Sequence, residues 1–163
     1  MRRHRYVGPA EIRERERGEV GAAIRGRAEV EAWLAAHPEG VREGATYVVD
    51  LAGDLRLAPR RSEHIDCAGG GEVLAAGEIR FTRAGEVAEL TNQSTGYCPD
   101  PDCWPAVAAA LAGAGLAVPA GFTHAFVFRR CPRCGQTNII KEDWFVCACC
   151  DCELPRAWNF GGP

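Results

Sequence analysis

The stretch CPRCGQTNIIKEDWFVCACCDCELP, running from Cys131 to Pro155, holds six of the nine cysteines in the chain and restricts the available folds more than any other segment. A zinc ribbon needs two Cys-x-x-Cys knuckles, because the tight turn aims backbone N–H groups at the sulfurs while both thiolates face one ion. Cys131 and Cys134 form the first knuckle, with Pro132 fixing its own φ and Gly135 free to adopt a positive one. For the second, CACCDC offers Cys147 with Cys150 or Cys149 with Cys152. The first pairing is preferred: DWFVC reads as a strand entering a knuckle, as FVFRRC does on the other side, and Asp151 tolerates the left-handed conformation better than Glu153. The expected ligands are therefore Cys131, Cys134, Cys147 and Cys150 around a structural Zn2+. Four thiolates close the shell and leave no position for water. Such an ion contributes on the order of 10 kcal/mol to folding a finger this small. Cys149 and Cys152 are left as neutral thiols or as substitutes for the chosen pair, with a redox couple beside the metal as the sharper alternative.

An odd number of cysteines, crowded into one window, does not suit a disulfide framework, so a reducing, cytoplasmic setting is expected. No apolar run is long enough to span a bilayer, and MRRHRYVGPAEIRERERG lacks the apolar stretch of a secretory signal; no membrane role is expected. With 163 residues there is room for one main core and a small appendage. The net charge of −3 argues against a generally basic nucleic-acid binder. Lys141 is the sole lysine among many arginines, the usage of a GC-rich bacterial gene.

Ahead of the cysteines, RAEVEAWLAAHPEG places Val30, Trp33 and Leu34 at helical spacing, and Pro38 with Gly40 ends the run. Gly18, Gly21 and Gly26 interrupt the charged segment before it. The period then changes to two. TYVVDL and LRLA flank AGD, and EVLAAGEIRFT and EVAELTN flank RAG, which predicts two hairpins. DPDCWPAVAAALAGAG predicts a short helix with Asp102 as cap, Pro105 in its first turn and Gly113 or Gly115 at its end. GFTHAFVFRRC reads as one strand with Phe122, His124, Phe126 and Phe128 on a common face, making His124 a core histidine. The fold class expected is α+β: a mainly antiparallel sheet of two hairpins with one or two packed helices, plus the C-terminal zinc ribbon. The expected divisions are a charged helical arm over 1–44, a core over 45–128 and the ribbon over 129–163.

Several polar groups near the hairpins are raw material for acid and base chemistry. His64, Glu78, Asn92 and Tyr97 are the candidate catalytic set, with Cys67 or Cys98 as a nucleophile served by His64 or His124. His64, Cys67, Cys98, Cys103 and His124 could instead build a second metal site, for which only CPDPDC has approximate spacing. Gly69 to Gly71 opens a strand rather than a helix, so a loop is preferred to a phosphate cradle. Around the finger, Arg129, Arg130, Arg133, Lys141 and Arg156 interleave with Trp144 and Trp158, a pattern for nucleic acid that Glu142, Asp143, Asp151 and Glu153 offset. Trp144, Trp158 and Phe160 equally suit a protein-docking surface.

The segment EHIDCAGGGEVLAAGEIRFTRAGEVAELTNQSTGYCP resembles a small β-rich module found in plant calmodulin-binding IQ-motif proteins and at the ends of bacterial toxin or effector proteins. His64, Ala68, Gly69, Gly70, Val73, Ala76, Gly77, Gly96, Tyr97 and Pro99 match its pattern over residues 62–99. Ile65 stands where the module has Ser, and STGYCP replaces its second His. The resemblance implies a shared β scaffold and no particular reaction. The ending CELPRAWNF, with the ribbon, also resembles an uncharacterised bacterial protein family. Together these readings favour a zinc-binding adaptor for a protein partner, in a toxin or conflict system by family analogy. A hydrolase or transferase using the polar set is the alternative, and nucleic-acid binding the third.

Overall fold

The two period-two segments do form hairpins, and they share one sheet. The computed structural model describes residues 1–16 and 18–161. Strands β1 (Ala22–Ile24), β2 (Ala45–Val49), β3 (Leu55–Pro59), β4 (Ala75–Phe81) and β5 (Val87–Leu90) are all antiparallel, in the order β1-β3-β2-β4-β5. Register follows burial: β2 is central and buried on both sides, Tyr47 pairing with Leu57 on one flank and Gly77 on the other. One face gathers Tyr47, Val49, Leu57, Ile79 and Phe81 into the main core. The other packs Val48, Ala58 and Ala76 on Cys67, Val73 and Tyr97.

Helices cover the main core. α1 (Ala10–Glu14) is short and buries nothing, α2 (Arg27–Ala36) inserts Val30 and Trp33, and α3 (Glu39–Arg42) leads into β2. β1 and α2 thus bring the first third of the chain into the same core as the hairpins. α4 (His64–Cys67) lies on the opposite face and ends in two left-handed glycines. The Gly70 N–H bonds the Ile65 carbonyl at 2.8 Å and Gly69 that of Asp66 at 2.9 Å, so the glycine run is a helix cap and not an anion loop. α5 (Trp104–Gly113) follows a 3-10 turn, Pro101–Cys103, and closes the same way at Gly115. Asp102 makes no cap bond; it pairs with Arg2 at 3.0 Å.

The single strand expected through residues 121–130 is shorter. Only β6 (Val127–Arg130) is a strand, paired with β7 (Thr137–Ile140) in a separate two-stranded sheet. Upstream, the Leu90 N–H bonds Thr123 Oγ1 at 3.0 Å and Asn92 holds both main-chain groups of Phe126. These anchors tie the segment to the end of β5 and deny it a ladder of its own. Phe122 turns into the main core against Trp104, and His124 is exposed rather than a core residue.

Candidate metal centre

β6 and β7 carry the first knuckle at their turn, and the second is built in the same way. Cys131 N–H bonds the Gln136 carbonyl at 2.8 Å and Gly135 N–H the Cys131 carbonyl at 2.9 Å; the matching bonds join Cys147 to Cys152 at 2.8 Å and Asp151 to Cys147 at 3.0 Å. Gly135 at φ +78° and Asp151 at φ +58° occupy equivalent left-handed corners. Amide groups aim at sulfur in both turns, Cys134 N–H at Cys131 Sγ (3.5 Å) and Cys149 N–H at Cys147 Sγ (3.4 Å). Asn138 locks the two together: its Oδ1 accepts from Ala148 N–H at 2.9 Å while its Nδ2 reaches Cys147 Sγ at 3.5 Å. A buried Asn in the middle of β7 has no counterpart in the cysteine spacing, and sequence reasoning passed over it.

The sulfurs of Cys131, Cys134, Cys147 and Cys150 all lie within 4.8 Å of one another, and this group could hold a metal ion. Two of the edges, Cys131 to Cys150 and Cys134 to Cys147, are 3.6 Å. A tetrahedron with metal–sulfur bonds of ~2.3 Å has edges of about 3.8 Å, so the four thiols fit such an ion with little adjustment. Cys149 points outward and is exposed, and Cys152 donates toward the Glu153 carbonyl at 3.5 Å. The electrostatics of the cluster suit a cation. The Cys134 amide holds the Cys131 thiol below its ordinary value, against desolvation. At Cys147 desolvation pushes upward, but the amides of Cys149 and Cys150 with the Asn138 side chain bring the thiol down to about 6. Cys134 is lowered by the Gln136 amide, but desolvation and the sulfurs of Cys147 and Cys131 outweigh it and raise the thiol to about 12. Four adjacent sulfurs cannot all ionise alone, and a central dication removes that penalty.

The finger is joined firmly to the core. The Arg129 side chain is 6% exposed; its guanidinium pairs with Asp100 at 2.8 Å and bonds the Arg156 carbonyl at 2.7 Å. Phe128 and Phe160 pack on Cys98, whose carbonyl accepts the Trp158 indole N–H at 2.8 Å. Arg129 is therefore removed from the basic surface pattern and Trp158 is half-buried, and Arg156 faces Asp143 at 3.9 Å. Trp144 alone of the expected docking aromatics stands out, 70% exposed beyond the left-handed turn at Glu142 and Asp143.

The polar set is divided. His64 and Glu78 line a groove of about 240 Å3 with Arg60, Ser62 and Thr95, and Glu78 faces Arg60 at 3.4 Å. The His64 ring bonds the Gly77 carbonyl at 2.9 Å, and burial pushes its imidazole below the ordinary range. Asn92 and Tyr97 are outside that groove: Asn92 bonds the carbonyls of Pro99 and Phe126, and the Tyr97 hydroxyl donates to the Gly71 carbonyl at 2.7 Å. Cys67, Cys98 and Cys103 belong to three different buried clusters, and burial raises each thiol to about 12. They are not gathered into one site, and among the described residues only the four finger cysteines form a ligand group.

The fold and site define an α+β protein with an appended four-cysteine finger. Comparison with family models, curated proteins and solved structures returned no match to this chain.

Proposed function

We propose that this protein is an interaction module for another protein, whose finger is shaped by one structural zinc ion. The zinc assignment is supported by the donor set, since four thiolates at tetrahedral spacing favour Zn2+ over the oxygen-seeking cations. The ion has no open position, so it supplies rigidity rather than chemistry. The adaptor reading is carried by one observation: a braced finger, clamped to the core by the buried Arg129 and Asp100 pair, presents an exposed Trp144 at its tip. A rigid aromatic anchor binds at low entropic cost. The hydrolase or transferase alternative is weaker, because only His64 and Glu78 of its four groups share a groove. The glycines matched by residues 62–99 fill strained or crowded backbone positions, Gly69, Gly70 and Gly77 among them, which supports a shared scaffold with the toxin-associated module.

Metal analysis of the purified chain is expected to return one zinc, and cobalt substitution a sulfur-to-cobalt charge-transfer band with tetrahedral ligand-field absorption. A six-coordinate spectrum or retention of a folded finger without metal would overturn the structural role. For the partner, co-purification with the products of neighbouring genes is compared between the native protein and Trp144→Ala. Equal recovery, or no partner in either case, counts against the reading.

A further inference from the structure

The two edges of the finger's hairpin are not equivalent. On β6 the outward main-chain groups are covered from within the chain. Arg130 N–H donates to Asn159 Oδ1 at 2.9 Å, the Arg130 carbonyl accepts from Asn159 Nδ2 at 2.7 Å, and the Phe128 carbonyl accepts from the Arg129 guanidinium at 2.7 Å. In an antiparallel pair, opposed residues alternate between those that exchange ladder bonds and those whose N–H and C=O point away from the partner. Arg130 points away, so Thr137 opposite it does too, and so does Ile139 opposite Phe128. The bond from Cys131 N–H to the Gln136 carbonyl, one pair further along, sets the same alternation. Among the described residues no side-chain or loop bond reaches the main chain of Ile139, and the Thr137 carbonyl meets only the exposed Gln136 side chain at 3.1 Å.

This open edge faces a groove of about 620 Å3, with Val7, Pro9 and Thr95 as the far wall and Thr137 and Ile139 as the near one. Arg133 before β7 and Lys141 after it are exposed, and neither forms an ion pair among the described residues. We propose that the β7 edge accepts an extended segment of a partner protein as a third strand, with an acidic residue toward the end that meets Arg133. The inference rests on the interaction-module reading and names its mode. Main-chain valence selects an extended chain, since a helix pairs its own main-chain groups along its length and offers none in a row. Self-association through β7 is the rival occupant: a zinc-loaded protein that is dimeric by light scattering and becomes monomeric on Ile139→Pro overturns the proposal.

The test uses the zinc-loaded full chain and a display library of random seven-residue peptides. Native protein should enrich alternating sequences with an acidic residue at the end nearest Arg133. Ile139→Pro removes one outward N–H and no ladder bond, so it should leave the metal content unchanged and weaken the enriched peptides by about tenfold or more. Thr137→Pro is the second variant should Ile139→Pro misfold. Amide exchange gives an independent readout: in the free protein Ile139 exchanges faster than Asn138 and Ile140, and bound peptide slows it. No enrichment, equal binding by both proline variants, or an Ile139 amide already protected in the free protein overturns the proposal. If that happens while Trp144→Ala still abolishes partner recovery, the edge alone is wrong; if Trp144 is also dispensable, the interaction reading falls with it.

Discussion

Replacing Gly77 by Ala tests the packing within the second hairpin at its tightest point. A Cβ built on Gly77 would lie 2.0 Å from the Thr91 carbonyl oxygen, where real contacts do not fall below 3.0 Å, so β4 and the end of β5 must separate by at least 1.0 Å (3.0 − 2.0). The Thr91 carbonyl is not free to move. It accepts the buried Tyr47 hydroxyl at 2.8 Å, and the Thr91 N–H donates to the Glu78 carbonyl at 2.9 Å. Overpacking costs about 1–3 kcal/mol. A stranded buried hydroxyl costs about 1–3 kcal/mol more. Gly77→Ala should therefore destabilise by about 2–6 kcal/mol, a large part of the ~5–15 kcal/mol typical of a whole domain. The assay is urea unfolding at fixed zinc, followed by circular dichroism, with Gly113→Ala as control. Gly113 ends α5 with open space around its Cβ, so that change should be neutral or stabilising by up to about 1 kcal/mol. Tyr47→Phe supplies the second arm of a cycle: without the hydroxyl to strand, Gly77→Ala should cost less. A Gly77→Ala protein within about 0.5 kcal/mol of native would refute the reasoning.

Other outcomes follow from the same contacts. Cys147→Ser should lose the metal, whereas Cys149→Ser and Cys152→Ser should retain it; metal analysis of the three variants decides between the pairings. Arg129→Ala leaves the Asp100 carboxylate without its buried partner and should cost about 3–5 kcal/mol, seen as lost exchange protection where β6 meets the core. His4 is fully buried against Trp158, with neither ring nitrogen hydrogen-bonded; burial first, then Arg2, lowers its pKa, and burial lowers that of His64. Both imidazoles are thus depressed below the ordinary 6.5, so the unfolded chain binds protons first. Stability is full above that value and falls as pH drops below it toward the folded-state values. His4→Phe should flatten that slope in urea midpoints measured across the range, and an unchanged slope would remove His4 as its source. Retention on a polyanion column should end at low salt, because Arg129 is withdrawn from the basic surface.

The hairpins were legible because alternation of apolar residues is a local signal, and the turns AGD and RAG supply glycine where φ turns positive, at Gly53 and Gly85. The knuckles were legible because Cys-x-x-Cys geometry lies within five residues and needs only Gly135 and Asp151 to close it. Three features were not. Val127 to Arg130 separates from the residues before it because of Thr123 and Asn92, whose partners are ~30 residues away in sequence and leave no periodic trace. His124 looked buried because every second residue near it is Phe, a pattern that holds only where a strand persists. Asn92 and Tyr97 are polar residues in an apolar context, and nothing local shows that both satisfy distant carbonyls.

Taken alone, the amino-acid order determines what depends on neighbours within a few positions: the strand and helix periods, the capping glycines and the turns that pair the sulfurs. The tertiary structure alone decides which long-range partners meet. It buries Arg129 against Asp100, turns Asn159 onto one edge of the finger and leaves β7 open on the other. The physical reason is that a hydrogen bond or ion pair between residues far apart in sequence depends on how whole elements dock, and no local pattern of residue types encodes that docking.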